Sequence, residues 1–206
     1  MKSIDLARRL LLISNSTLHG GGYLDHAEEE IRNFVGKAAK TILVPFAVHD
    51  WGIYAAKAQD RFRDMGFSLT SIHDLSNMPR AIDEADVIFV GGGNTFRLLN
   101  GLYNHDLLGP IRRRVAAGMP YIGSSAGSIV MGETQEERIL QFLEENEEPV
   151  VGLREGSILR VQDGAVTLKG PNTARIFRRY EEPVEATTGS NLCPVLWEAS
   201  TVGARS

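Results

Sequence analysis

The residues best suited to chemistry form the run Gly123-Ser124-Ser125-Ala126-Gly127, which follows the apolar stretch Met119-Pro120-Tyr121-Ile122. A serine at the centre of Gly-x-Ser-x-Gly, where a strand gives way to a helix, is pushed out of the backbone by a turn that only small neighbours permit. The same turn aims the next N–H, here that of Ala126, at an oxyanion forming on a bound carbonyl. Ser125 is therefore a candidate nucleophile. A serine at its ordinary pKa is a poor one and needs a base. The chain has five histidines, His19, His26, His49, His73 and His105, and all of them precede Ser125. His19, His49 and His73 follow apolar runs and so fall near strand ends; His26 sits among helix-face charges and reads as exposed.

A second glycine run, Gly91-Gly92-Gly93-Asn94-Thr95, separates Asp86–Val90 from a helical stripe of Phe96, Leu98, Leu99 and Leu102. Between a strand and a helix such a run leaves backbone N–H groups available to an anion, with Asn94 as the N-cap. It also serves as a plain tight turn. It is neither a dinucleotide fingerprint, because Phe96 stands where the third glycine belongs, nor a phosphate loop, because no Gly-Lys-Ser/Thr follows.

The elements that must position these residues alternate. Short apolar runs at Leu10–Ile13, Thr41–Ala47, Phe67–Ile72 and Asp86–Val90 predict strands. Stripes at helical spacing separate them: Leu24 to Val35, Trp51 to Met65 ending at Gly66, a short helix around Ala81, and Leu107 to Ala117 closed by Gly118. After the serine run come a predicted helix over Glu133–Glu145, continuous with the serine turn through Gly132, and a strand over Pro149–Leu153. Ser157–Val161 and Ala165–Leu168 flank Asp163-Gly164, a hairpin signal, and Ala174–Phe177 is a last short strand. Alternation of this kind predicts an α/β fold: a mostly parallel sheet with flanking helices and a late β-hairpin. One α/β domain over residues 1–180 is expected, with 181–206 a loose C-terminal tail. In such sheets ligands bind outside the carboxyl ends of the strands, where the glycine loop, the serine turn and the Ser14–Thr17 loop all emerge.

Composition narrows the function classes. The 206 residues are enough for one sizeable core, and the net charge of −4 gives no electrostatic reason to bind nucleic acid or an anionic membrane. The lone Cys193 cannot close an internal disulfide, which suits a reducing compartment. Arg8-Arg9 followed by Leu10–Ile13 is too short for a signal peptide, and no stretch is long enough to span a bilayer. Asn15-Ser16-Thr17 matches a glycosylation acceptor, which means little without a secretion signal.

Five stretches, in this order, resemble the aspartyl dipeptidase (peptidase E) family of serine peptidases: Leu11 to Leu18, Val44-Pro45-Phe46-Ala47, Gly91 to Phe96, Tyr121 to Gly127, and Gly152-Leu153-Arg154-Glu155-Gly156. The resemblance runs from about Leu10 to about Arg178. It implies a fold like that of class I glutamine amidotransferases, a cytoplasmic location, hydrolysis of dipeptides with an N-terminal aspartate (Asp-X), and no metal or other cofactor. It assigns Ser125 as nucleophile, Glu155 as the carboxylate orienting the catalytic histidine, Gly92 or Gly93 with Ala126 as oxyanion donors, and Asn94 and Gln135 to the substrate. Without the resemblance Glu155 reads as an exposed turn residue before Gly156.

The chain departs from the family in three places, one of them the tail from about Glu181. Ile129-Val130-Met131 runs straight into Gly132-Glu133-Thr134, where the family has some tens of residues that carry its catalytic histidine. Gln135 stands where the family has an arginine proposed to hold the aspartyl carboxylate, and a neutral amide does not replace a bidentate guanidinium. The expectation is a shortened form, impaired or inactive as a dipeptidase. Two further readings share the fold: a non-catalytic variant that binds a peptide or a partner, and a different amidase-like hydrolase.

Overall fold

The computed structural model describes residues 8–37, 40–128, 143 and 149–197. Its main sheet has seven strands. In chain order these are β1 (Leu10–Ile13), β2 (Thr41–Val44), β3 (Leu69–Ser71), β4 (Val87–Val90), β5 (Tyr121–Ser124) and, after β6 (Val150–Leu153) of a second sheet, β7 (Ile158–Gln162) and β8 (Ala165–Lys169). Their spatial order is β3-β2-β4-β5-β1-β7-β8, parallel as far as β1 and antiparallel beyond it. The hairpin at Asp163-Gly164 turns through two positive φ angles, 52° and 73°, as a two-residue turn between twisted strands requires. β9 (Ala174–Phe177) and β10 (Val184–Ala186) complete the second, antiparallel sheet in the order β10-β9-β6.

The sheet separates two apolar layers. In β4, Val87 and Phe89 point to one side and Ile88 and Val90 to the other, and all four are buried. The first side is covered by α1 (Glu28–Val35), preceded by a turn of 3-10 helix at Asp25–Ala27, and by α2 (Trp51–Asp64), through Ile31, Phe34, Ala58 and Phe62. The second is covered by α3 (Met78–Asp83), α4 (Thr95–Asn104) and α5 (Leu108–Ala116), through Ile82, Leu98, Leu102 and Ile111. This two-sided burial explains why the parallel strands read as unbroken apolar runs. A third cluster, with Leu159, Leu168 and Ile176 at its centre and Leu10 and Leu12 against it, joins the small sheet to the β1 end of the large one. Side-chain caps start three helices: Asp50 accepts from the Ile53 N–H at 2.8 Å, Asn77 from Arg80 at 3.0 Å, and Asn94 from Arg97 at 2.9 Å.

The stretch after Glu181, expected to be loose, is structured as far as Trp197. β10 pairs with β9, Asn191 bridges to Thr167, and a short helix α6 (Cys193–Trp197) follows. Leu192 is buried, and Cys193 Sγ accepts from the Val166 N–H at 3.2 Å and donates to the Gly164 carbonyl at 3.3 Å. Periodicity missed this segment because β10 is three residues long and exposes both Val184 and Glu185. The helix expected to run on from the serine turn does not start there, because Ser128 ends that turn in an extended conformation. The stretch expected to be helical over Glu133–Glu145, Gly132 and Gln135 lie outside the described residues, Leu143 excepted; Leu143 is buried against Phe177.

Candidate active site

Ser125 follows β5 directly, opens a single 3-10 turn over Ser125–Gly127 and has a φ of 52°. A positive φ at a residue with a side chain costs on the order of 1–3 kcal/mol and persists only where the surroundings over-determine it. They do so here. A methyl group on Gly123 would overlap the Gly127 carbonyl, and one on Gly127 would overlap the Val90 carbonyl of β4. Tyr121 donates its hydroxyl to the Gly127 carbonyl at 3.0 Å, and burial pushes its pKa up, so the phenol keeps its proton. Ser128 closes the turn. Its N–H donates to the Ser125 carbonyl at 2.8 Å, and its Oγ donates to the Ile13 carbonyl at 2.5 Å, tying the serine turn to the end of β1.

The glycine loop lies against this turn. A Cβ on Gly92 would stand 2.8 Å from the Ser125 Cβ, and one on Gly93 would stand 2.5 Å from the Ala47 carbonyl oxygen. The loop is anchored by the Gly91 N–H on the Val44 carbonyl at 3.1 Å and the Asn94 N–H on the Ala47 carbonyl at 2.8 Å. The Gly92 N–H donates to the Tyr54 hydroxyl at 3.1 Å. Of the two glycines named as oxyanion donors, Gly93 is thus the one whose amide has no hydrogen-bond acceptor among the described residues. Ala126 lies in the first turn of its short helix, where backbone N–H groups lack intrahelical partners. Asn94 spends its Oδ1 on the cap of α4, which leaves its NH2 for a ligand.

Glu155 stands on the same sheet edge. Ile13 faces Ser124 of β5 on one side and Ile158 of β7 on the other, so the backbones of Ser124 and Ile158, the residues next to Ser125 and Ser157, lie two strand spacings apart, about 10 Å. The Glu155 backbone is fixed: its carbonyl accepts from Asn172 Nδ2 at 2.6 Å, and the next N–H, of Gly156, donates to Asn15 Oδ1 at 2.8 Å. Its carboxylate is exposed and makes no hydrogen bond or ion pair among the described residues. The edge therefore presents a serine, a glycine loop and a carboxylate, with the end of β1 between the first and the last.

Among the described residues no hydrogen bond joins a histidine to Ser125. His49 accepts at Nε2 from an Arg97 Nη2 at 2.6 Å. His73 is bound at Nδ1 to Ser71 Oγ at 2.6 Å and at Nε2 to Asp74 at 3.3 Å, beside β3 at the far end of the sheet. His105 stacks on Phe46 with ring centroids 4.9 Å apart. His19 is exposed. His26, expected to be solvated, has both ring nitrogens buried beside the Asn15 backbone, and burial lowers its pKa. The 3-10 turn that carries it folds back onto the β1 loop, the Leu24 N–H donating to the Ser16 carbonyl at 2.7 Å, which periodicity does not reveal.

Two residues had no motif to announce them. Tyr54 lies in an ordinary amphipathic stripe, yet its hydroxyl meets both the Gly92 N–H and, at 2.7 Å, the Tyr23 hydroxyl. Arg97 lies in the first turn of α4, which packs against the serine turn, and it has no acidic partner among the described residues. Among the described residues there is no cluster of three metal-ligating side chains, and no helix is long and apolar enough to cross a membrane.

Fold and edge together describe an α/β protein with a serine on a sharp 3-10 turn at the end of a central strand. The model of peptidase family S51 matches residues 10–138, and the chain belongs to that family. It is 38% identical to Peptidase E of Streptomyces coelicolor over 229 aligned positions, covering 91% of this chain and 94% of the relative. It is 37% identical to a probable alpha-aspartyl dipeptidase of Drosophila melanogaster, covering 84% and 90%. The 229 positions exceed the 206 residues of this chain, so the Streptomyces protein carries aligned-region residues that this chain lacks. Among solved structures, a peptidase from an acI-B1 Actinobacterium superposes with a TM-score of 0.68 at 14% identity, covering 89% of this chain and 96% of that one. A putative Peptidase E protein from Listeria monocytogenes gives 0.56 at 18%, covering 80% and 99%. At those identities the two structures speak for the fold alone.

Proposed function

We propose that this chain has the architecture of a serine-type dipeptidase for Asp-X peptides, in a form whose turnover is impaired. The observation that carries the reading is Ser125 held at positive φ between β5 and the glycine loop. In this reading the Ser125 Oγ attacks the peptide carbonyl, and the Gly93 and Ala126 N–H groups receive the oxyanion. The attack needs a base to accept the Oγ proton, and the departing amine needs that proton back. A histidine between Ser125 and Glu155 would do both, with Glu155 fixing its tautomer. Of the five histidines of this chain, His49, His73 and His105 are engaged with other groups, His19 is exposed and His26 is buried beside Asn15. The residues that the Streptomyces relative has in excess support the reading of a lost segment, which we place at the Met131–Gly132 junction.

Substrate selection also has a candidate group. With Gln135 neutral, the cation nearest the glycine loop in sequence is Arg97, whose Nη2 is steadied by His49. We assign it to a carboxylate of the dipeptide, because a guanidinium without an acidic partner is suited to take one. The lone thiol of Cys193 and the acidic net charge agree with a cytoplasmic protein that acts on small peptides rather than on nucleic acid or membrane. The missing base favours one second reading, a non-catalytic variant that binds peptides without cleaving them.

The test compares Asp-Leu hydrolysis by the unmodified chain and by Ser125→Ala. A trace of activity that disappears in the variant is expected. Robust turnover dependent on Ser125 would overturn the impaired state. Asp-Leu binding with no Ser125-dependent cleavage at all would establish the second reading.

A further inference from the structure

We infer that Tyr54 is a positioning residue for the oxyanion loop: its hydroxyl captures the Gly92 N–H, clamps the loop against Ser125 and leaves the Gly93 N–H to face the reacting carbonyl. The inference rests on the reading of Ser125 as nucleophile. Three consecutive glycines are intrinsically mobile, whereas an oxyanion donor works only if it is already in place. Something must hold the loop. On one side the loop touches the serine turn, where a Cβ on Gly92 would stand 2.8 Å from the Ser125 Cβ. On the other it touches the Tyr54 ring, where a Cβ on Gly91 would stand 2.5 Å from both Cε1 and Oη. The loop is thus held between a phenol and the serine, and only glycine fits at either contact.

The hydroxyl adds direction to this packing. The Gly92 N–H donates to Tyr54 Oη at 3.1 Å, and Tyr54 Oη shares a second bond of 2.7 Å with Tyr23 Oη. A phenol oxygen can accept one bond and take part in a second, so both contacts are made at once. Tyr23 is itself fixed. Its ring meets Tyr54 edge-on, the Lys57 ammonium lies 4.8 Å from its centroid, and its carbonyl accepts from Arg61 Nε at 2.8 Å. Burial raises the pKa of both phenols, so the clamp stays neutral and does not compete electrostatically with a nearby oxyanion. The chain of contacts runs from α2 through Tyr23 and Tyr54 to Gly92, and from there to Ser125.

The experiment uses the full chain labelled with 15N-glycine, as wild type, Tyr54→Phe and Tyr23→Phe. Amide exchange at Gly92, the amide shift of Gly93, and the slow labelling of Ser125 by a fluorophosphonate are measured together. Labelling forms the Oγ–P bond and expels fluoride, and intact mass follows it. Tyr54→Phe keeps the ring and should keep the fold. Gly92 exchange should then rise about tenfold, the Gly93 resonance should move, and labelling should slow about tenfold, the size of effect one lost hydrogen bond produces. Tyr23→Phe should do the same more weakly. Phe62→Leu, which weakens α2 from the core side, should move neither the Gly93 resonance nor the labelling rate. Unchanged Gly92 and Gly93 signals in Tyr54→Phe would overturn the clamp, as would altered signals with an unaltered labelling rate. A wild type that takes no label at all would remove the nucleophile reading instead; the clamp would then stand if both glycine signals moved and fall if neither did.

Discussion

The two ends of the proposed reaction path are built to different standards. At the serine end, Gly91, Gly92, Gly123 and Gly127 each sit where a single added methyl group would collide with a neighbour, and Tyr54, Tyr121 and Ser128 pin the backbone around Ser125. At the glutamate end the backbone is also tied down, through Asn15 and Asn172, but the Glu155 carboxylate is exposed and has no partner among the described residues. In the proposed reading, a carboxylate that would orient an imidazole has nothing to orient here. The contrast teaches that the elbow is specified by strand and glycine packing that does not depend on the base. The geometry of a nucleophile can therefore outlast its activation.

The largest effect should come from repairing the weaker end. Inserting between Met131 and Gly132 the segment that the Streptomyces relative carries in excess should raise Asp-Leu turnover about a thousandfold or more, the usual size of the contribution of a triad member. Steady-state kinetics of the insertion, alone and with Ser125→Ala, checks this. An insertion that folds but gains nothing would mean that the serine end is also defective.

Damage to the stronger end should appear as lost stability. Gly123→Ala places a methyl group against the Gly127 carbonyl, with no flexible side chain to yield, and should cost about 3 kcal/mol in urea unfolding. Gly109→Ala, where a Cβ would meet open space inside α5, should be neutral or slightly stabilising. Equal outcomes for the two would show that the elbow is not over-determined.

The contrast was only half legible in the sequence. The serine elbow was, because Gly123, Ser125 and Gly127 are close-approach residues at fixed spacing, and apolar runs such as Thr41–Val44 declare a strand buried on both faces. Tyr54 was not, since a tyrosine in a helical stripe reads as core until the loop beneath it is seen. β10 was not, since it gains its place by pairing with β9 and not by burying an apolar face. His26 was misread because its neighbours Asp25 and Glu28 are polar, while the fold buries its ring nitrogens beside the Asn15 backbone.

A smaller effect should separate substrate choice from chemistry. Arg97→Gln should weaken Asp-Leu binding about tenfold, by calorimetry, and leave Ala-Leu binding within about twofold if Arg97 takes the aspartyl carboxylate. If both peptides weaken together, Arg97 takes the C-terminal carboxylate instead, and if neither weakens it takes no carboxylate.

The smallest effect concerns acid stability near the joint between the two ends. His26 lies beside Asn15, the residue that links the β1 loop to the Glu155 turn. Burial lowers its pKa below the ordinary value of 6.5, and the nearby Asp25 opposes the shift without cancelling it. The folded state therefore prefers the neutral ring. Above pH 6.5 the ring is neutral whether the chain is folded or unfolded, and the shift has no effect on stability. As the pH falls below 6.5 the unfolded chain takes up the proton first, so stability declines through the folded-state pKa and levels off beneath it. His26→Gln should flatten that part of the stability profile between pH 7.5 and pH 5. The acid loss that remains should come from carboxylates held low by arginine, such as Glu185 beside Arg154, and it should begin at lower pH. Chemical denaturation at half-unit pH steps would resolve the two. Parallel profiles for wild type and variant would mean that the ring is solvated after all, and that the β1 loop is looser than its hydrogen bonds imply.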